Sequence, residues 1–165
     1  MAENFVEMEL REIHLSEDAL RPQMIVLGEK QGEKSFPIYI GLPEAQALDA
    51  AVRGKRFPRP LTHDLILNIL EGLQVHLLRV LVVKLEEDTF YGALELQRPT
   101  GEVVRIDSRP SDAIVLAMKC RTPIFVAQQV LDEVGRVVEQ NEEEEDVFES
   151  DEDLGEEEEP ENPDE

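Results

Sequence analysis

Seven side chains in this sequence combine the types that hydrolytic chemistry needs with positions at the ends of structural elements: Glu44, Asp64, Asp107, Asp112, His63, Arg59 and Arg109. Carboxylate oxygens bind hard divalent cations, which polarise a phosphate and activate water. Histidine moves protons near neutral pH, and the guanidinium fork of arginine matches phosphate oxygens. Together these groups would serve phosphodiester hydrolysis. Glu44, Asp107 and Asp112 are then candidate ligands of Mg²⁺ or Mn²⁺, His63, Asp64, Asp107 and Asp112 candidate catalytic groups, and Arg59 and Arg109 candidate phosphate clamps. Each also has a structural explanation. Glu44, Asp64 and Asp112 fall in first helical turns, where the dipole favours a carboxylate by ~0.3–1 kcal/mol whatever the function. Asp107 can bridge Arg109 or cap the next helix, and Arg109 can be an ordinary ion-pair partner. His63 can be a satisfied, half-buried side chain beside a cap. His14 and His76 lie within strand patterns and carry no expected role.

The elements that must position these groups are organised around Asp107–Phe125, DSRPSDAIVLAMKCRTPIF. Val103–Ile106 reads as a strand, Ser108 as the cap region, and Pro110 suits the first helical position because its ring presets φ and its missing N–H would be unpaired there. Ala113–Met118 is apolar on nearly every side and should be buried against a sheet, or against a sheet and a second subunit. Polar residues return at Lys119 and Arg121. Pro123 stops the helix and Ile124–Val126 is a short strand. Upstream, strands are expected at Phe5–Leu15, Met24–Leu27 and Phe36–Ile40, followed by an alanine-rich helix from Pro43 that ends near Gly54. Lys55–Pro60 is a basic loop, and Thr62 reads as the N-cap of a helix to Leu70 or Leu73. Strands at Gln74–Lys84 and Thr89–Leu96 come next, and a last helix at Ala127–Val134. Leu42-Pro43-Glu44-Ala45 and Pro110-Ser111-Asp112-Ala113 each follow three strands, at an offset of 68 residues. This suggests two β-β-β-α units whose helix starts face one another across a cleft, although chance convergence on a common unit gives the same pattern. The fold class is α+β, with a mostly antiparallel or mixed sheet and packed helices.

Charge divides the chain. Of the net −22, seventeen negative charges fall in residues 139–165, which hold no Lys or Arg, leaving −5 on residues 1–138. One domain over 1–138 and a disordered acidic tail over 139–165 are expected, because so few apolar residues cannot repay the entropy of ordering. With a single cysteine, Cys120, no disulfide can form within the chain; a small core role for it and a reducing cytoplasm are the simple expectations. No stretch approaches the roughly 20 apolar residues of a membrane span. Sixteen basic residues against thirty-eight acidic ones argue against a simple duplex binder, whose affinity comes from Lys and Arg displacing counterions. The best basic patch is Lys55, Arg56 and Arg59. No C-x-x-C, glycine-rich phosphate loop, nucleophile elbow or H-E-x-x-H occurs, which removes zinc ribbons, P-loop enzymes, α/β-hydrolases and zincins.

The runs Phe57-Pro58-Arg59-Pro60-Leu61-Thr62-His63-Asp64-Leu65, Asp88-Thr89-Phe90-Tyr91 and Ile106-Asp107-Ser108-Arg109-Pro110-Ser111-Asp112-Ala113-Ile114 resemble the bifunctional nuclease domain family. Pro37-Ile38-Tyr39-Ile40-Gly41, with Glu44 and Ala45, is similar to the family's first strand-to-helix segment. The resemblance covers roughly residues 4–135. It implies a compact α+β domain that forms a homo-oligomer and hydrolyses DNA and RNA. Plant members append a further small module where this chain carries its acidic segment. The site residues remain inferences from their own chemistry, since function lives in sites and not in folds. The alternative is a non-catalytic oligomeric interaction or regulatory domain, with the DSRPSD segment as a structural corner.

Overall fold

The computed structural model describes residues 3–18 and 20–137. The acidic segment 139–165, expected to be disordered, lies outside them. Among the described residues the protein is α+β, with eight strands in one mixed sheet and four helices. The first meander is β1 (Phe5–His14), β2 (Gln23–Glu29) and β3 (Lys34–Ile40), and leads into α1 (Leu42–Val52). Then α2 (Thr62–Gly72) crosses to the second meander, β4 (His76–Glu86), β5 (Thr89–Gln97) and β6 (Val103–Ser108), which leads into α3 (Pro110–Cys120). Strand β7 (Ile124–Ala127), α4 (Gln128–Val134) and the two-residue β8 (Arg136–Val137) follow. The sheet order is β6-β5-β4-β7-β1-β2-β3-β8, antiparallel throughout except for the β4–β7 pair. The two meanders thus lie back to back with β7 between them.

Local chemistry fixes the connections. Glu87 and Asp88 both take positive φ, 49° and 57°, the geometry of a two-residue hairpin turn whose twist matches the flanking strands. The sheet curls strongly: the Phe36 and Phe90 rings stack at 5.6 Å although β3 and β5 are separated by four strands. One face carries the core, where Ile25, Leu27, Phe36, Val80, Val82, Leu94 and Val126 meet Ala45 and Leu48 of α1 and Ala113–Ala117 of α3. Each fully buried Leu, Ile or Phe contributes about 1.5–3 kcal/mol of hydrophobic stabilisation, so this face holds the domain together. On the other face Glu95 is buried and accepts hydrogen bonds from Arg79 and Arg105, while the Arg79 guanidinium lies over the rings of Phe5 and Phe125.

Several sequence expectations shift. The N-cap of α2 is Leu61, not Thr62: leucine has no side-chain acceptor for the first-turn N–H groups, and the Asp64 carboxylate reaches back from the first turn to accept the Leu61 N–H at 2.9 Å. The N-cap of α3 is Arg109; the Ser108 hydroxyl donates to the Arg109 carbonyl and caps nothing. Gln74 adopts a left-handed turn after α2, which delays β4 to His76. Cys120 is exposed rather than in the core, because α3 has run past its packed segment by that point. The apolar α3 is buried by α1, β4 and β5 of its own chain and needs no second subunit to cover it.

Candidate functional site

The two β-β-β-α units bring the starts of α1 and α3 together. Glycine at position 92 makes the corner possible: a Cβ there would stand 2.9 Å from the Ser108 carbonyl oxygen and 3.0 Å from the Pro110 nitrogen, so β5 passes directly under the β6–α3 turn. Arg109, held at that turn in extended conformation, extends its guanidinium between the two helix starts. Its Nε and Nη2 donate to the two oxygens of Asp112 at 2.8 and 3.2 Å, and its Nη1 donates to Glu44 at 3.0 Å. Glu44 and Asp112 are the residues that coincide at the offset of 68. They converge on one cation.

His63 joins from α2, with Nε2 2.9 Å from Asp112 Oδ1. Its side chain is 12% exposed and that of Asp112 27%, whereas Arg109 is 63% exposed. Burial is the largest single influence on Asp112 and disfavours its charge. The hydrogen bonds from Arg109 and His63 together outweigh burial, and the carboxyl is held below the ordinary aspartate range. An ionised carboxylate can only accept, so the Nε2 proton is donated to Asp112 and Nδ1 is the nitrogen left to take a proton. Arg109 carries five N–H groups, of which three are committed to Asp112 and Glu44. The remaining two, one on each terminal nitrogen, have no partner among the described residues and could meet a pair of anionic oxygens.

The other sequence candidates lie apart. The two Asp64 oxygens are engaged by Lys119 Nζ at 2.7 Å and by the Leu61 N–H, and both bonds, Lys119 first, lower its pKa. Consecutive residues therefore reach opposite ends of α3: His63 its first turn, Asp64 its last. Asp107 is level with Ala93, on the sheet face away from the helices, and is exposed. Arg59 is exposed in the loop between α1 and α2 and makes no side-chain bond among the described residues. The ligand set Glu44, Asp107 and Asp112 is thus not assembled, because the alternation of β6 turns Asp107 from the corner that Glu44 and Asp112 share. Among the described residues no group of three or more His, Cys, Asp or Glu could hold a metal ion. A divalent cation at this corner would have only Glu44 and Asp112, with Arg109 displaced from them. Sequence reasoning missed Lys119 as the partner of Asp64, although its position as the first polar residue ending an apolar helix was a signal.

Fold and site together define an α+β domain with a hydrogen-bonded cluster of charged and polar side chains built where three helices begin. The bifunctional nuclease domain matches residues 25–139, and the chain belongs to that family. An uncharacterized protein of Mycobacterium tuberculosis is 36% identical over 115 residues, 70% of this chain and 68% of the relative. Bifunctional nuclease 1 of Oryza sativa subsp. indica is 26% identical over 122 residues, 73% of this chain and 37% of the relative. Bifunctional nuclease 1 of Arabidopsis thaliana is 29% identical over 117 residues, 68% and 35% respectively. The match to the plant proteins therefore spans little more than a third of their length. Among the described residues no helix is long and apolar enough to cross a membrane.

Proposed function

We propose that this chain hydrolyses phosphodiester bonds of DNA and RNA at the corner formed by Glu44, His63, Arg109 and Asp112. The observation that supports the reading is the coupling of an exposed guanidinium with two unused N–H donors to a sheltered histidine through one carboxylate oxygen. Arg109 binds the phosphate and balances the charge that develops on it, while Glu44 and Asp112 keep its fork aimed. His63 takes a proton from the attacking water at Nδ1 as the new P–O bond forms, and Asp112 stabilises the imidazolium that results, as an orienting carboxylate does in other acid–base dyads. The sugar oxygen leaves as the old P–O bond breaks and takes its proton from solvent water. No step is assigned to a metal ion. The test is cleavage of labelled single-stranded RNA and DNA by the full chain and by His63→Asn and Asp112→Asn, each in EDTA and in Mg²⁺ or Mn²⁺. Loss of about 10²–10⁴-fold in folded variants is expected; wild-type rates in folded His63→Asn would overturn the assignment.

A second reading, self-association, is supported by the outer face of α2. Leu61, Leu65, Ile69 and Leu73 are spaced four residues apart and are 47–63% exposed. Such a ridge packs well against its own copy. Sedimentation analysis of the full chain tests it: a monomer throughout the micromolar range would refute it.

A further inference from the structure

A second polar feature lies at the opposite end of α3. The end of α1, the 53–61 loop, α2 and the last turn of α3 enclose an open cleft of about 740 Å³. Lys55, Arg56, Phe57, Lys119 and Arg121 line it, with Asp64 its sole carboxylate. Of the sixteen Lys and Arg in the chain, eleven have a described carboxylate within 4.0 Å. The five without one among the described residues are Lys55, Arg56, Arg59, Arg121 and Arg136. Three of these line the cleft and Arg59 is in the same loop. Four of the five cations without a carboxylate partner among the described residues thus gather at this end of α3, Arg136 being the exception.

Cations at helix ends have an ordinary explanation, since α1 and α3 both terminate here and a helix C-terminus carries about half a negative charge. The magnitudes decide against that as the whole account. Two helix ends and Asp64 amount to about −2, whereas Lys55, Arg56, Lys119 and Arg121 bring four positive charges. About two positive charges remain unanswered. Phe57 is 38% exposed with Lys55 Nζ 5.2 Å from its ring centroid, and Pro58 and Pro60 stiffen the loop that carries it. An exposed aromatic ring beside a cationic groove is the combination that holds single-stranded nucleic acid, with a base stacked on the ring and phosphates along the charges.

We propose that this cleft binds the phosphate backbone of single-stranded nucleic acid and leads the strand to the His63 corner. The proposal rests on the phosphodiesterase reading for its direction. Asp112 and Lys119, which mark the two ends, are seven residues apart on α3, about 10 Å along the helix, so one strand can engage both. The cleft is within the size that buries a small ligand and too small to admit a duplex.

The test is fluorescence anisotropy of a labelled twelve-nucleotide oligothymidine with the full chain, in EDTA so that binding is read without turnover. Lys55→Ala/Arg56→Ala/Arg121→Ala should bind at least tenfold more weakly. Its salt slope should fall by about 2, at roughly 0.7 for each phosphate of a single strand that the protein no longer neutralises. Its urea midpoint should fall only slightly, since the change removes cations from two helix ends but deprives no described carboxylate of a partner. Phe57→Leu should weaken binding with the slope retained. Wild-type affinity in the triple variant, or no binding by any form, overturns the cleft; cleavage by the wild type and its loss in His63→Asn would still leave the catalytic corner standing. Equal displacement by a duplex of the same length overturns the single-strand assignment. Displacement by poly-L-glutamate at equal charge concentration would give the cleft to an acidic peptide instead.

Discussion

Replacing Asp112 by asparagine separates the catalytic role proposed for the corner from its structural one. The carboxylate accepts Nε and Nη2 of Arg109 and Nε2 of His63. Asparagine keeps one acceptor and turns an NH₂ towards a donor. The bonds to Arg109 are exposed and screened, within ~0–1 kcal/mol, whereas the sheltered bond to His63 is worth about 1 kcal/mol. Loss of an acid from the first turn of α3 adds a few tenths. The expected destabilisation is about 1–2 kcal/mol at pH 7, measured by urea unfolding. Its sign with pH follows from the lowered Asp112 pKa: the stabilisation is complete above the unfolded pKa and is lost as pH falls through the folded one. Wild type and variant should therefore converge below the ordinary aspartate range. Cleavage should drop by 10²–10⁴-fold at pH 7, about 3–5.5 kcal/mol, more than the fold loses. A stability gap that persists unchanged at pH 3, or a cleavage loss under tenfold in folded protein, would refute the reasoning.

Three further perturbations probe the surroundings. Gly92→Ala puts a methyl against the Ser108 carbonyl and the Pro110 backbone, which cannot swing aside, and should cost about 1–3 kcal/mol in urea unfolding with loss of cleavage. A Cβ at Gly41 would meet only the end of the Glu44 side chain, at 2.4 Å, and the φ of −73° suits alanine. Gly41→Ala should thus leave stability within about 0.5 kcal/mol while releasing Glu44 from Arg109 and raising KM for a phosphodiester substrate. Leu65→Ser/Ile69→Ser removes half of the exposed α2 ridge and should abolish self-association in sedimentation analysis with a stability change within about 0.5 kcal/mol per site.

The sequence made the elements legible wherever a local signal existed. Pro110 marked the start of α3, the apolar run Ala113–Met118 its burial, and Phe36–Ile40 and Val103–Ile106 their strands, each because period and proline geometry act within a few residues. At the start of α2 the threonine was a false signal: the N-cap is Leu61, one residue earlier, which has no side-chain acceptor, and Asp64 holds the Leu61 N–H from within the first turn. Asp107 was misplaced for a simpler reason. Asp107 alternates with Ile106, the partner of core residue Leu94, and so faces away from the helices; the chain then turns after Ser108, and nearness in sequence to Arg109 and Asp112 does not survive that corner. The link from His63 to Asp112 spans 49 residues and from Glu44 to Arg109 spans 65. No periodicity carries that information; it arises only when two meanders dock around β7.

The internal match also explains why the corner holds one arginine and not two. At the offset of 68, Glu44 coincides with Asp112, but Arg109 coincides with Gly41, and both are N-cap residues of their helices. A second arginine at position 41 would bring two guanidinium groups to the same place, each repelling the other and competing for the same carboxylates. Glycine removes the side chain and opens the space into which the Glu44 carboxylate folds on its way to Arg109. The two units thus contribute equivalent acids and non-equivalent partners. The result is a single cation held from both sides, exposed and with two N–H donors that have no partner among the described residues. An exact repeat would have neutralised itself in two separate ion pairs, so departure from symmetry at this pair of positions is what leaves a guanidinium available to a substrate.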